Sequence, residues 1–514
     1  MKSKRLTLSV LFVVAAVANA LACTNLIVGK NASADGSTIV SYSADSYGLF
    51  GELYHYPAGM HKKGTLIDIH EWDTGKYLGQ IAQARQTYNV IGNMNEFQLT
   101  IGETTFGGRP ELVDTTGIID YGSLIYLGLQ RSRTAREAIK VMTELVQEYG
   151  YYSGGESFTI ADPNEIWIME MIGKGPGVRG AVWVAVRVPD DCISAHANQS
   201  RIHQFNMNDK ENCMYSPDVI SFAREKGYFD GVNKDFSFAN AYAPLDFGAR
   251  RYCEARVWSY FNMFTDRGNE FLPYILGETN TPMPLFVKPN RKVSVQDVKN
   301  AMRDHYEGTP LDISKDFGAG PYHTPYRLSP LSFKVGDREY FNERPISTQQ
   351  SGFVFVAQMR SELPDPIGGV LWFGTDDANM TVFTPVYCCT DKVPVCYTRV
   401  DGADYITFSW NSAFWIFNWV ANMVYPRYDL MMGDVRATQT ELETTFNEAQ
   451  EGVEAAAAKL LEKDPAKAKA FLTNYTNMTA QSTFDTWKRL GEFLVVKYND
   501  GVVKRMKNGQ FERN

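Results

Sequence analysis

The sequence predicts an α+β fold, in which strands and helices occupy separate stretches of the chain. Segments of strand composition come first, helical segments follow, and strands then return without a regular alternation of single strands and helices. A hydrophobic content of 44% and an aromatic content of 13% are enough for a large buried core. We expect one main domain over residues 23–435 and a helical C-terminal region over residues 436–514.

Residues 1–22 have the three parts of a secretory signal peptide. Positively charged residues open the segment, a mostly apolar run of about a dozen residues follows, and Ala20-Leu-Ala22 matches an A-x-A cleavage site. The apolar run is shorter than the about 20 residues that a membrane-spanning helix needs. We therefore expect export to the periplasm or the extracellular space, no membrane span, and Cys23 as the first residue after cleavage.

Cys23 permits a second interpretation, because a lipoprotein signal also places a cysteine directly after its cleavage site. Such a signal favours Leu, Val or Ile three residues before the cysteine, whereas this sequence has Ala20. The match to a lipoprotein signal is therefore poor. A lipid-anchored binding protein acylated at Cys23 is the alternative from a different functional class.

The chain after Cys23 is typical of a β-hairpin. Residues 24–28 are rich in strand formers, residues 29–36 have the composition of a turn, and residues 38–42 return as a strand that ends at Asp45. Six further strands are predicted, over residues 98–101, 158–161, 165–171, 181–188, 352–358 and 368–374.

Capping signals predict helices between these strands. Thr134 and Glu137 have capping-box spacing and precede apolar residues at helical intervals. Ser216, with Pro217 at the first helical position, predicts a second helix.

Two later stretches differ in composition from the rest. Residues 270–350 are rich in Pro and Gly, which predicts long ordered loops. From about Ala437 the sequence is rich in Ala, Glu and Lys, which predicts helices that pack on the main domain.

Charge and cysteine usage exclude several classes of function. The formal net charge is −8, and Lys and Arg form no long run, so nucleic acid is not the expected partner. The six cysteines after Cys23 permit up to three disulfides in an exported protein. Cys388, Cys389 and Cys396 lack a CxxC pair and a nearby histidine, so we expect no metal and no other cofactor.

An N-terminal cysteine carries a nucleophile and a base in the same residue. Its α-amine has a reference pKa of about 8 and its thiol one of about 8.5. Near neutral pH the amine can therefore take the thiol proton directly or through a water. Such a site also needs an acceptor that orients the amine and donors that stabilise the oxyanion.

Several stretches between Cys23 and about Tyr387 carry a family resemblance: Cys23–Ser37, Asn95-Glu96, Phe158–Glu170, Ala197–Ile202 and Arg344–Thr348. They resemble the bacterial dipeptidases of the N-terminal-nucleophile hydrolase superfamily, which are related to secernins and more distantly to bile salt hydrolases and penicillin V acylases. The resemblance implies an αββα sandwich with long loop insertions, and hydrolysis of an amide bond without a metal.

The resemblance also implies roles for single residues. Cys23 corresponds to the nucleophile, and Asp45 to the acid that holds its α-amine. Asn198 corresponds to an oxyanion-hole asparagine, Arg256 to an active-site arginine, and Thr105 to a second oxyanion donor.

Each of these residues also has a structural interpretation. Taken alone, Asp45 is typical of a turn or cap, Asn198 of a group that satisfies backbone atoms, and Arg256 of a buried ion pair or a group that binds a substrate carboxylate. Tyr42 departs from the family, which often has arginine at this position. Tyrosine can hydrogen-bond but supplies no fixed positive charge near the thiolate, a charge for which another cation can substitute.

The sequence therefore predicts an exported cysteine dipeptidase that acts on a small peptide. A dipeptide has an amine at one end and a carboxylate at the other, so its pocket should offer an acid and an arginine. The candidates are Glu103, Glu156 and Arg344. A conjugated bile acid or the side-chain amide of a penicillin is the near alternative as substrate, and the sequence leaves open whether the protein is a homo-oligomer.

Overall fold

The computed structural model of the protein describes residues 23–328 and 331–512, and the predicted signal peptide lies outside this part. The first strands are β1 (Asn25–Val28), β2 (Thr38–Asp45), β3 (His55–Tyr56), β4 (Gly59–Met60), β5 (Leu66–His70), β6 (Tyr77–Ala82), β7 (Gln86–Thr87), β8 (Val90–Ile91), β9 (Met94–Asn95) and β10 (Thr100–Gly107). The later strands are β11 (Gly155–Ala161), β12 (Ile166–Gly173), β13 (Ala181–Arg187), β14 (Ile193–His196), β15 (Cys213–Tyr215), β16 (Ser332–Val335), β17 (Arg338–Phe341), β18 (Ser351–Met359), β19 (Val370–Thr375), β20 (Thr384–Tyr387), β21 (Met506–Lys507) and β22 (Gln510–Phe511).

The α-helices are α1 (Tyr121–Arg131), α2 (Ala135–Tyr149), α3 (Val219–Glu225), α4 (Phe238–Tyr242), α5 (Ala255–Phe264), α6 (Gly268–Ile275), α7 (Val295–Ala301), α8 (Asp365–Gly368), α9 (Ala413–Val424), α10 (Tyr428–Leu461) and α11 (Pro465–Lys497). A π-helical turn at Ala249–Glu254 leads into α5. Short 3₁₀ turns lie at Pro110–Leu112, Asn233–Asp235, Phe317–Tyr322, Val395–Tyr397, Val400–Gly402, Tyr425–Arg427 and Asn499–Gly501.

Two antiparallel sheets form the centre of the fold. The first has six strands in the order β14-β1-β2-β18-β19-β20, and the second has eight in the order β15-β13-β12-β11-β10-β9-β8-β3. The sheets meet face to face where β10 contacts β1 and β2. α1 and α2 cover the outer face of the second sheet, whereas α5, α7, α9 and α11 lie on the first. This arrangement agrees with the predicted α+β class.

Burial explains why several strands were readable from the sequence. Every residue of β1, β2, β11, β12 and β18 is buried, because each sheet is covered on both faces. Such strands are continuous runs of apolar and small residues, bounded by turns. The predicted hairpin after Cys23 and the predictions that overlap β11, β12, β13, β18 and β19 agree with the structure except at their ends.

The strand predicted at residues 98–101 is displaced in the structure. Gln98 has a φ of 64°, in the left-handed region, so the strand begins after it, as β10. The polar residues in the second half of β10 hide its strand character, because they face the candidate site instead of an apolar core.

The helix predicted from Ser216 and Pro217 begins later than expected. Asp218 is the N-cap residue of α3, which starts at Val219. The Ser216 hydroxyl accepts a hydrogen bond of 3.2 Å from the backbone N–H of Trp183 on β13, so it serves the sheet and does not cap the helix. By contrast, Thr134 caps α2 as predicted, by accepting from the N–H of Glu137.

Residues 270–350 are more structured than the predicted loops. They contain α7, whose capping box pairs Ser294 with Asp297, and the hairpin of β16 and β17. The sequence does contain the capping box of α7, but with Asp297 at the position where the usual pattern has Glu or Gln. α1, with Asp120 as its N-cap, was also missed.

The cysteines of the described part of the chain form no disulfide. All seven, Cys23 included, are free and buried. The sequence permits up to three disulfides, and the structure has these side chains packed as small apolar groups instead. Over residues 23–328 and 331–512, no helix has the length and apolar character that crossing a membrane requires.

Candidate active site

Cys23 lies directly before β1, where the two sheets meet, and is 3% exposed. Arg256 on α5 donates from Nη1 to the carbonyl oxygen of Cys23 (2.7 Å) and to the hydroxyl of Thr24 (2.8 Å). Its Nη2 donates to the carbonyl of Ala197 (3.1 Å) and to Oδ1 of Asn198 (2.9 Å). One buried guanidinium therefore joins Cys23 to the segment that carries Asn198.

Arg256 keeps its charge in this position. Burial, and then the nearby Arg344, lower the pKa of Arg256 to about 10, which is still well above neutral pH. A positive charge beside Cys23 is thus present on α5, whereas β2 has Tyr42 at the position considered above.

The thiol of Cys23 is held in its neutral form. Its Sγ lies 3.7 Å from the hydroxyl oxygen of Tyr42. Burial, and then the negative charges of Glu103 and Asp45, raise the pKa of the Cys23 thiol well above its usual value, while a hydrogen bond from the backbone N–H of Asp45 partly opposes this. A base is therefore needed to form the thiolate at neutral pH.

Two buried carboxyl groups lie behind Tyr42. The Tyr42 hydroxyl donates to Oε1 of Glu103 (2.6 Å), and the Thr105 hydroxyl donates to Oε1 of Glu156 (2.7 Å). Thr105 on β10 pairs directly with Glu156 on β11, and Glu103 lies two residues before Thr105, so both carboxyl groups share one face of the sheet.

The two carboxyl groups lie buried beside each other, and this changes their acidity. Burial raises the pKa of Glu103 to about 6. Burial, and then the charge of Glu103, raise the pKa of Glu156 well above its usual range, which favours the protonated form of Glu156. The pair therefore contributes one negative charge close to the thiol.

Asp45 ends β2 beside Cys23. Its carboxylate accepts hydrogen bonds from the hydroxyls of Ser43 (2.9 Å) and Ser351 (2.5 Å) and forms a buried ion pair with Arg344. Arg344 is 2% exposed and also donates to the carbonyl oxygen of Pro345 (2.7 Å). This position favours support of Asp45 over the predicted contact with a substrate carboxylate.

Asn198 follows β14 in a left-handed conformation, with a φ of 63°. Its Nδ2 donates to the carbonyl oxygen of Thr105 (2.9 Å), which leaves the second amide hydrogen for another acceptor. The hydroxyl hydrogen of Thr105 is already used on Glu156, so this geometry does not favour Thr105 as an oxyanion donor.

A buried glutamate fixes the segment after Asn198. Glu170 on β12 accepts from the backbone N–H groups of Arg201 (2.5 Å) and Ile202 (3.2 Å), and from the Ser200 hydroxyl. Burial raises the pKa of Glu170 to about 7. The sequence gave no local signal for this role, because Glu170 acts on a segment about 30 residues later.

The predicted residues form one connected network, which we call the Cys23 network. Its members, in order of contact, are Cys23, Tyr42, Glu103, Glu156, Thr105, Asn198 and Arg256, which closes the circuit on Cys23. Asp45 and Arg344 join it through the thiol. Tyr42 is the member that sequence analysis noticed only as a departure from the family.

A small cavity adjoins this network at Tyr42. It has a volume of about 30 Å³, and aromatic side chains provide most of its lining, among them Tyr54, Trp72, Tyr121 and Phe353. In the described part of the chain, no group of three or more His, Cys, Asp or Glu residues is arranged to hold a metal ion.

Comparison with known proteins places this geometry in a family. The sequence profile of peptidase family C69 matches residues 22–55 and 50–441. A probable dipeptidase of Salmonella dublin is 30% identical over 395 residues, which cover 71% of this chain and 81% of the relative. A probable dipeptidase of Latilactobacillus sakei is 26% identical over 88% of this chain and 90% of its own length, and dipeptidase A of Lactobacillus helveticus is 24% identical over 77% and 80%. The chain belongs to peptidase family C69.

Proposed function

We propose that the protein is an exported cysteine dipeptidase with the N-terminal-nucleophile hydrolase fold, in which residues 23–435 form the hydrolase domain. The observation that carries this proposal is the Cys23 network, which connects a buried thiol to Arg256 and Asn198. The helix, sheet, sheet, helix layering supports the fold assignment, and the relatives named as dipeptidases support the substrate class.

The proposed reaction starts when residues 1–22 have been removed and Cys23 has a free α-amine. The amine takes the thiol proton, and the thiolate sulfur attacks the carbonyl carbon of the peptide bond. A bond between sulfur and carbon forms, and the carbonyl oxygen becomes an oxyanion. The second Nδ2 hydrogen of Asn198 is our candidate donor to that oxyanion, because its first hydrogen is held by Thr105.

The second half of the reaction restores the thiol. The α-ammonium group gives its proton to the leaving nitrogen as the bond between carbon and nitrogen breaks, which releases one amino acid and leaves a thioester. A water then gives a proton to the α-amine and its hydroxide to the thioester carbonyl. The bond between sulfur and carbon breaks, the second amino acid leaves, and the proton returns to sulfur.

Asp45 and Arg256 have supporting roles in this proposal. Asp45, held in place by its ion pair with Arg344, orients the α-ammonium group during the reaction. Arg256 fixes the carbonyl oxygen of Cys23, so the sulfur cannot move away from the substrate.

The test compares Cys23→Ala with Cys192→Ala in the mature, secreted protein. Cys23→Ala should lower dipeptide hydrolysis to the background rate, because no other group can form the thioester. Cys192→Ala should keep at least half of the activity, since Cys192 lies at the end of the turn that precedes β14 and its thiol donates to the side chain of Asp191 (3.5 Å), which is not part of the Cys23 network. Hydrolysis is followed by release of free amino acids.

Intact mass and N-terminal sequencing of the same material separate the two functional classes. The proposal expects an unmodified mature chain that begins at Cys23. A diacyl or triacyl adduct on Cys23, or full activity in Cys23→Ala, would contradict it and favour the lipid-anchored binding protein.

A further inference from the structure

We propose that the cavity between Tyr42 and Tyr121 is the subsite that binds the free α-ammonium group of the substrate. This inference rests on the proposed dipeptidase function and extends it. The inference assigns the amine end of the substrate to Tyr42 and Tyr121. Such a subsite would favour peptides with a free amine over amides that carry a neutral acyl group.

The hydroxyl groups of this cavity act as acceptors. Tyr42 donates its hydroxyl hydrogen to Oε1 of Glu103 (2.6 Å), and Tyr121 donates its hydroxyl hydrogen to Oδ1 of Asp73 (2.9 Å). A phenol has one hydrogen, so each oxygen can only accept from a further partner. A ligand group with several N–H donors fits these oxygens, whereas a carbonyl or carboxylate does not.

The charges around the cavity favour a cation. Among its described lining residues there is no Lys, Arg or His. Asp73 and Glu103 lie directly behind the two hydroxyls, and the aromatic rings of Tyr54 and Trp72 add negative faces to the wall. A buried site of this kind attracts an ammonium group more strongly than the same charges do in water.

The distance from the nucleophile fits the amine of the residue that is attacked. In a peptide, the α-nitrogen lies two bonds, or about 2.5 Å, from the carbonyl carbon of its own residue. The attacking sulfur approaches that carbon to about 3 to 3.5 Å. An acceptor for the nitrogen must therefore lie within a few ångströms of Sγ, and the Tyr42 oxygen does, at 3.7 Å.

The size of the cavity limits what precedes the attacked residue. A cavity of about 30 Å³ exceeds the ~10–15 Å³ that one water needs, so it can hold a group of the size of an ammonium ion. A further amino acid or an acyl chain is several times larger than such a group. The cavity therefore explains why the attacked residue would be the first residue of a peptide. It disfavours conjugated bile acids, and penicillins whose acyl side has no ammonium group.

The test uses Tyr121→Phe in the full mature protein, with Tyr228→Phe as the matched control. Both substitutions remove a hydroxyl that donates to a carboxylate, but Tyr228 contacts Glu111 on the surface, remote from the cavity lining. We expect Tyr121→Phe to raise KM for a dipeptide of neutral residues about tenfold with a small change in kcat. Tyr228→Phe should leave both constants within about twofold.

A second measurement compares the dipeptide with its N-acetyl derivative. The wild type should cleave the acetylated form at least about 100-fold less efficiently, because the acetyl group removes the charge and exceeds the cavity. Asp73→Asn removes the negative charge behind Tyr121, so it should raise KM for the free dipeptide and leave KM for the acetylated one unaffected.

The outcomes separate the subsite from the function. Equal cleavage of the free and acetylated dipeptides, or equal kinetics for Tyr121→Phe and Tyr228→Phe, would overturn the ammonium subsite and leave the dipeptidase function intact. Failure of the wild type to cleave either compound would overturn the proposed function itself.

Discussion

The reactivity of Cys23 depends on the charges that surround a single sulfur atom. The anionic Glu103 and Asp45 favour the neutral thiol, whereas the cations Arg256 and Arg344 are held on a carbonyl oxygen and on Asp45. These charges favour the thiol over the thiolate, so the proposed nucleophile depends on its own α-amine as the base.

Glu103→Gln tests this account of the sulfur. The substitution removes a negative charge and keeps an acceptor for Tyr42, so the pKa of the Cys23 thiol should fall. Because the pKa of Glu103 is about 6, the effect should be present above pH 6 and vanish below it, where wild-type Glu103 is already neutral. Alkylation of Cys23 by iodoacetamide, followed by peptide mass spectrometry across pH, measures the shift.

The exposed Glu111→Gln is the control for this experiment. It removes a carboxylate on the surface, so the alkylation profile should stay unchanged. Coincident profiles for Glu103→Gln and the wild type would show that Glu103 does not influence the sulfur.

Among the secondary-structure elements, β10 does most to build the site. Gly102 on β10 faces the first sheet, and a Cβ at this position would lie 2.4 Å from Oδ1 of Asn25 and 3.4 Å from Cβ of Tyr42. The absence of a side chain lets the two sheets approach closely enough for Tyr42 to reach Glu103 on the same strand.

Gly102→Ala should therefore disturb catalysis through geometry alone. Asn25 must move, and its hydrogen bond to the carbonyl oxygen of Glu103 (2.7 Å) is lost. We expect kcat/KM to fall at least about tenfold, since small displacements of reacting groups are costly. Gly433→Ala, in an open position of α10, should leave kcat/KM unchanged and slightly raise the melting temperature. Equal activity of the two variants would contradict this role of β10.

The same elements show what the sequence could and could not predict. The hairpin of β1 and β2 was predictable, because turn residues and strand formers are adjacent in the chain. The predicted cleavage motif before Cys23 singled out this residue, and its role as the nucleophile stays a prediction. The contact of Tyr42 with Glu103 was not, because it depends on how the two sheets face each other.

Side-chain contacts between residues that are distant in the chain could not be predicted from the local sequence either. Arg344 was predicted to bind the substrate, but in the structure it pairs with Asp45, which lies 299 residues earlier in the chain. Ser216 was predicted to cap a helix, but its hydroxyl accepts a hydrogen bond from a strand of the second sheet. In both cases a tertiary partner decided between two uses that the same side chain permits.

On the scale of the whole molecule, two ion pairs hold the long helix α10 against segments that flank the first sheet, and α11 packs on β20. Glu443 on α10 pairs with Arg303, which follows α7, and accepts from the backbone N–H of Phe383 (3.0 Å). Glu454 on the same helix pairs with Arg360. The C-terminal region is thus part of the support for the sheet that carries Cys23.

Glu443→Gln tests that support through its pH dependence. Burial alone would raise the pKa of Glu443, but the charge of Arg303 outweighs it and lowers the pKa to about 2. A lowered pKa gives stability that is present above the ordinary pKa of 4.5 and is lost as the pH falls towards 2. We expect the variant to lose about 3 kcal/mol of unfolding free energy at pH 7.

Urea unfolding at pH 7 and at pH 3 measures this difference, with the exposed Glu448→Gln on the same helix as control. The difference in unfolding free energy between the wild type and Glu443→Gln should be smaller at pH 3 than at pH 7. Glu448→Gln should have the unfolding free energy of the wild type at both pH values. A difference for Glu443→Gln that does not change with pH would rule out the ion pair as its source.

The position of Cys23 has a practical consequence for anyone who produces the protein. Its sulfur is buried, and Arg256 holds its carbonyl oxygen. In the proposed mechanism the α-amine of Cys23 is the base, so an affinity tag or a retained initiator methionine on that amine is expected to abolish turnover while the fold stays intact. Purification handles therefore belong at the carboxyl terminus, and an inactive preparation should be checked for incomplete trimming before its substrates are screened.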